Sequence, residues 1–64
     1  MVTINGESVT ADGKSLAEYL EEAGYAIARV AVELNGDIVP KSQYGQTILS
    51  AGDQVEIVAF VGGG

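Results

Sequence analysis

Residues Ser15–Gly24 read SLAEYLEEAG, and their spacing decides what kind of domain this chain can build. Leu16, Tyr19, Leu20 and Ala23 recur at i, i+3, i+4 and i+7, which is the apolar stripe of an amphipathic helix. Ser15 with Glu18 three residues on makes a capping box at its start. Gly24 supplies the left-handed residue expected at its stop. Glu18, Glu21 and Glu22 fall on the other side and read as a solvated face rather than a docking patch or metal site. One short helix has one stripe to bury, so the flanking segments must supply a sheet.

Outward toward the N-terminus, MVTINGESVTA is two short alternating runs around Asn5-Gly6, a pair suited to a two-residue hairpin turn. Val2 and Ile4 share a face, and Val9 joins them from the second run. In the other direction, RVAVEL at Arg29–Leu34 alternates again and puts Val30, Val32 and Leu34 on one face. Asn35-Gly36 is a second tight turn into Ile38-Val39, and Pro40 ends that piece because it cannot donate to a ladder. KSQYGQTIL at Lys41–Leu49 reads as irregular, with a short extended piece at Thr47–Leu49. Ser50–Asp53 is a turn, and Gln54–Phe60, QVEIVAF, is the last strand. The order is ββ-α-β-β-β, an α+β domain with a small sheet on one helix. The expected core is Val2, Ile4, Val9, Leu16, Leu20, Val30, Val32, Leu34, Val55 and Ile57, with Ala59 at its end. The folded domain is expected over residues 1–61, followed by a flexible glycine tail at 62–64.

Composition bounds the function. A chain of 64 residues buries only roughly 60% of its unfolded surface, so the core is thin and a fully enclosed substrate pocket is not expected. There is no Cys, His or Trp. That removes disulfides, thiolate zinc sites, iron–sulfur ligation, a nucleophilic thiol and the usual proton shuttle. Lys14-Ser15 and Lys41-Ser42 are sequence neighbours whose side chains diverge in helix or strand, which argues against a Ser-Lys dyad. An independent enzyme is not expected. Three basic against nine acidic residues give a net charge of −6. Phosphate backbones and anionic membrane surfaces would therefore be repelled, while a basic protein surface would be attracted. No run is long enough to span a bilayer and no signal-peptide pattern opens the chain, which reads as cytoplasmic and monomeric when free.

The last strand turns from polar to apolar on its outward side. Val55, Ile57 and Ala59 alternate with Gln54, Glu56, Val58 and Phe60. With one helix available, the second set faces solvent, and Val58 and Phe60 form an apolar patch beside the tail. Together with Val61 they are the candidate partner-docking residues, and Glu33 contributes an acidic rim. Gly62, Gly63 and Gly64 have no side chains to pack, and Val61–Gly64 would reach roughly 13 Å when extended. Such a segment can enter a channel too narrow for other sequences, and it leaves a terminal carboxyl open to attack. A carboxylate is a poor electrophile, so it would need activation by another enzyme, most simply as an acyl-adenylate made from ATP.

The stretches LNGDIVP at Leu34–Pro40 and GDQVEIVAFVGGG at Gly52–Gly64, with the element order and length, resemble the bacterial sulfur carriers of thiamine biosynthesis, the ThiS family. The resemblance covers essentially the whole chain. It implies a ubiquitin-like β-grasp fold in which Val2–Asn5 pairs in parallel with Val55–Phe60 at the sheet centre. It implies adenylation of the terminal Gly64 by an E1-like enzyme of the ThiF type. Conversion to a thiocarboxylate by a sulfur donor or desulfurase system and delivery of the sulfur to a ThiG-type thiazole synthase would follow. Gly64 would be the sulfur-carrying residue, and ATP would belong to the partner, with no cofactor bound by the chain itself. The chain ends at Gly64, as a working carrier of this kind would.

Two other readings differ in what they require. A sister carrier, such as the small subunit of molybdopterin synthase, shares the fold and terminal glycines and changes only the acceptor. A non-covalent β-grasp interaction module would use the Val58/Phe60 face and need no ATP. Removal of Gly63 and Gly64 separates that module from either carrier.

Overall fold

The computed structural model describes residues 1–60. Strand β1 (Val2–Ile4) turns into β2 (Glu7–Val9). Helix α1 (Leu16–Glu22) follows, then β3 (Val30–Leu34), β4 (Asp37–Val39) and β5 (Gln54–Ala59). Single 3₁₀ turns lie at Ile27–Arg29 and Lys41–Gln43. The strands form one sheet in the order β2-β1-β5-β3-β4. β1 and β5 are parallel, and every other neighbouring pair is antiparallel. This is the β-grasp arrangement that the resemblance implies, with the last strand in the middle. No helix among the described residues is long and apolar enough to cross a membrane.

Both Asn-Gly pairs turn as their residue types require. Asn5 and Gly6 have φ of 50° and 85°, Asn35 and Gly36 of 52° and 90°, so each pair occupies the two left-handed positions of a type I′ hairpin. A two-residue loop then fixes register, pairing Ile4 with Glu7 and Leu34 with Asp37.

These two asparagines also close the hydrogen bonding of the central strand. On one side of β5, Thr3 pairs with Gln54 and Ile4 with Val55, and there the backbone of β1 turns away. The Asn5 side chain continues in its place: Ile57 N–H donates to Asn5 Oδ1 at 2.7 Å, and Asn5 Nδ2 donates to the Ile57 carbonyl at 3.1 Å. On the other side, β3 pairs along the whole of β5 from Val55 to Ala59. At its end the Asn35 backbone N–H donates to the Gln54 carbonyl at 2.7 Å, and Gln54 N–H donates to Asn35 Oδ1 at 2.9 Å. The expected parallel pairing of Val2–Asn5 with Val55–Phe60 is thus corrected in extent. It covers only the first part of β5, because the left-handed turn at Asn5 removes the β1 backbone beyond that point.

Helix α1 is seven residues long, too short to persist alone in water. Its ends are satisfied from outside. Glu18 N–H donates to Ser15 Oγ at 3.1 Å, Leu16 N–H to the Thr47 carbonyl at 2.8 Å and Ala17 N–H to the Tyr44 carbonyl at 3.0 Å. At the other end Gly24 has φ 88°. Its N–H donates to Glu21, and Tyr25 N–H donates to Leu20, the paired bonds of a Schellman stop. Glu22 accepts an ion pair from Lys14.

The core joins Leu16 and Leu20 of the helix to Val2, Ile4, Val30, Val32, Val55 and Ile57 of the sheet. Three corrections to the expected core, and one to the apolar stripe of the helix, follow. Val9 and Leu34 are only half-buried, one on an edge strand and the other at the hairpin end of β3. Ala59 is exposed at the end of β5, although its rung partner Val30 is buried. Ala23 is exposed because the helix has already ended there. The irregular stretch at 41–49 instead delivers Tyr44 and Leu49 to the core, and Ala11 is buried with them. The extended piece expected at Thr47–Leu49 reduces to a single bridge between Ser15 and Ile48.

Two outcomes are expected from this packing. Asn5→Gly keeps the turn but strands two groups of the central strand, and should cost about 1–2 kcal/mol in urea unfolding. Asn5→Ala adds left-handed strain and should cost about 1–2 kcal/mol more. Separately, burial raises the pKa of the Tyr44 and Tyr19 phenols above the ordinary 10.0. The neutral phenols are favoured in the fold, so their contribution is complete below about pH 10 and is lost as the pH climbs through the raised values. Tyr44→Phe should therefore unfold with a shallower alkaline decline in urea midpoint than the parent.

Candidate functional site

Helix α1 covers one face of the sheet and leaves the other open. Alternation along β5 puts Val55 and Ile57 in the core, so Gln54, Glu56 and Val58 point to the open side. Val58 is 56% exposed and Phe60, just beyond the strand, is 57% exposed. The predicted pair is therefore on the surface. Phe60 is still tied to the sheet, because its N–H donates to the Arg29 carbonyl at 2.7 Å. The chain thus reaches residue 60 along the central strand, next to the start of β3.

Cross-strand register shows what surrounds this pair. Ala31 lies opposite Val58, and Glu33 lies opposite Glu56. On its other side Glu33 faces Ile38, which is 75% exposed. The open face therefore carries apolar side chains at Val58, Phe60, Ile38 and Ala31 around two carboxylates. Glu33 lies on the same face as Val58, as the alternation of β3 predicted. Ile38 and Glu56 were missed as site residues. The signal for Ile38 was present in the two-residue Asn35-Gly36 turn, which forces Glu33 and Ile38 into register and hence onto one face.

No enclosed cavity is found among the described residues, so this is a surface for contact and not a pocket. Glu18, Glu21 and Glu22 are exposed on the helix, on the opposite side of the domain. The remaining candidate residues, Val61 of the docking set and Gly62, Gly63 and Gly64 of the tail, lie outside the described residues.

A sequence model described as the ThiS family matches residues 2–64. The chain belongs to the ThiS family. It is 42% identical to the sulfur carrier protein ThiS of Thermus thermophilus, with all of both chains covered. It is 47% identical to a thiazole synthase of Paramagnetospirillum magneticum, where 98% of this chain covers 20% of that one. The chain therefore spans about a fifth of the length of that curated relative. Among solved structures, the crystal structure of the thiamine biosynthesis protein ThiS from Geobacter metallireducens matches with a TM-score of 0.78 at 34% identity. That match covers 98% of this chain and 97% of the other. The fold of this chain is thus that of the matched ThiS structure, a ubiquitin-like β-grasp.

Since Val58 and Phe60 are more than half exposed, they contribute little to the core. Val58→Ser should change unfolding free energy by less than about 0.5 kcal/mol, as should Phe60→Asp. A urea titration of each variant checks this before any binding measurement is interpreted.

Proposed function

We propose that this chain carries sulfur as a thiocarboxylate on the terminal carboxyl of Gly64 and donates it to thiazole formation in thiamine biosynthesis. The observation that carries this reading is membership of the ThiS family over residues 2–64, a match that runs through the glycine tail. The exposed Val58 and Phe60, on the strand that leads to that tail, support it as a docking surface.

The chemistry follows from the terminal group. The Gly64 carboxylate attacks the α-phosphorus of ATP in an activating enzyme of the ThiF type, forming an acyl-adenylate and releasing pyrophosphate. Sulfide displaces AMP at the acyl carbon and leaves the thiocarboxylate directly. A persulfide from a desulfurase displaces AMP to give an acyl disulfide, whose S–S bond a thiol then reduces to the same product. In either case the carrier supplies the acyl carbon and its reach, and the partner enzyme supplies catalysis. The chain is thus a protein substrate and not itself an enzyme, and its reactions belong in the cytoplasm, where ATP and reduced thiols are at hand.

The acceptor in this reading is a thiazole synthase of the ThiG type. It is supported by the relative of that name, part of whose length is similar to this whole chain. Docking brings Val58, Phe60 and Val61 against the partner while Gly62, Gly63 and Gly64 enter its active site. Glycine suits that entry because a chain without Cβ atoms needs the narrowest channel.

Intact mass before and after incubation with ATP, a ThiF-type enzyme and sulfide tests the reading. The expected gain is that of one oxygen replaced by sulfur, located in the fragment containing Gly64. No gain with an enzyme that modifies its own carrier would overturn it. Gly64→Ala should slow this conversion at least about tenfold through crowding of the acyl carbon, an increase in barrier of roughly 1.4 kcal/mol, with unchanged urea unfolding. Phe60→Asp should raise the carrier concentration needed for half-maximal conversion without altering the maximal rate, as expected for lost docking.

A further inference from the structure

Both hairpin turns carry the same reactive dipeptide, Asn5-Gly6 and Asn35-Gly36. Asparagine counts among the thermolabile residues, and a following glycine offers its side chain the least hindered backbone nitrogen. That nitrogen, after yielding its proton to hydroxide, attacks the asparagine Cγ. The Cγ–Nδ2 bond breaks, ammonia leaves, and a five-membered succinimide remains. Water opens the ring at either acyl–nitrogen bond, giving aspartate or an isoaspartate whose main chain holds one extra carbon. No group is oxidised or reduced, and water is the sole co-reactant.

The fold turns both carboxamides away from this attack. In the sheet order β2-β1-β5-β3-β4, each turn leads outward to an edge strand, while each carboxamide reaches inward to the β5 segment. Asn5 Oδ1 accepts from Ile57 N–H, and Asn5 Nδ2 donates to the Ile57 carbonyl. Asn35 Oδ1 accepts from Gln54 N–H at 2.9 Å, and Asn35 Nδ2 donates to Asp53 Oδ1 at 3.1 Å. Ring closure must pull the carboxamide off these partners and bend it back over its own turn. Two hydrogen bonds are lost in each case, and the departing nitrogen is itself the donor in one of them.

The two locks are unequal. Both bonds of Asn5 are partly buried and grip one peptide of the central strand. Those of Asn35 are exposed, and one of them ends on a side chain. Asp53 Oδ2 also accepts from Ser50 N–H at 2.9 Å, so this carboxylate ties the hairpin to the turn before β5. An exposed hairpin end opens locally at lower cost than a partly buried contact at the centre of a sheet.

We infer that Asn35 is a site of spontaneous deamidation, gated by release of its carboxamide from Asp53 and Gln54, and that the fold suppresses the same chemistry at Asn5. The product alters the clamp as well as the residue. A carboxylate at position 35 has no donor for Asp53 and sets a second negative charge beside it. The isoaspartate form lengthens the two-residue turn that fixes the register of β3 and β4. Conversion therefore loosens the start of the strand that leads to the glycines.

Deamidation at each site is followed by peptide mass mapping at mildly alkaline pH, in buffer and in denaturing guanidinium chloride. In the unfolded chain the two sites should convert at similar rates. In the fold, Asn35 should slow about tenfold and Asn5 about a hundredfold, as two exposed and two partly buried hydrogen bonds require. Asp53→Ala should return Asn35 most of the way to its unfolded rate and leave Asn5 nearly unchanged. Conversion of Asn5 as fast as Asn35 in the fold would overturn the inference, as would equal folded and unfolded rates. Equal acceleration of both sites by Asp53→Ala would assign the gate to global unfolding and refute the local one. Asn35→Asp installs the product carboxylate and should lower the denaturation midpoint, whereas an unchanged midpoint refutes the loosening of β5.

Discussion

A central strand has to satisfy its backbone on both edges, and in this chain that strand is also the one that leads to the glycines. β5 has only three-residue β1 on one side. The shortfall is made up by side-chain amides: Asn5 bonds both backbone groups of Ile57, and Asn35 bonds Gln54 from the other edge. A carboxamide carries a donor and an acceptor with nearly peptide geometry, so it can stand in for a missing strand residue. The same two asparagines accept the left-handed conformation of the tight turns. Turn, register and central pairing therefore depend on the same residues.

The single helix sets the second constraint. One layer can cover one face of a five-stranded sheet, and the other face must meet solvent or a partner. The helix is itself too short to stand alone. Its first-turn donors are received by carbonyls at Tyr44 and Thr47, so the loop at 41–49 acts as its cap while Tyr44 and Leu49 fill the core beneath. Helix and loop thus stabilise one another.

On the open face, the geometry favours contact over enclosure. Apolar side chains cluster at the end of the central strand, with two carboxylates across from each other behind them. Two like charges directly opposite on an uncovered face oppose folding of the free domain a little.

Much of this was legible in the sequence. Ser15, Glu18 and Gly24 mark the helix, the Asn-Gly pairs mark both hairpins, and period-two alternation marks the strands and sorts Val58 and Phe60 onto the outward side. These are local signals, set by backbone conformation and by the directions in which neighbouring side chains point. The family could also be read locally, from the approach to the glycines. The order of strands in the sheet came only through that resemblance, since periodicity says which face a residue takes but not which strand lies beside it. Tertiary structure alone decided the rest. Tyr44 and Leu49 enter the core because the helix needs carbonyls at its first turn, which no pattern within Lys41–Leu49 announces. Asn5 reaches Ile57 across 52 residues of sequence, and Glu33 meets Glu56 only because β3 and β5 pair in one register. Ala59 continues the inward alternation and is nevertheless exposed, because burial depends on what lies above a side chain as well as on the direction in which it points.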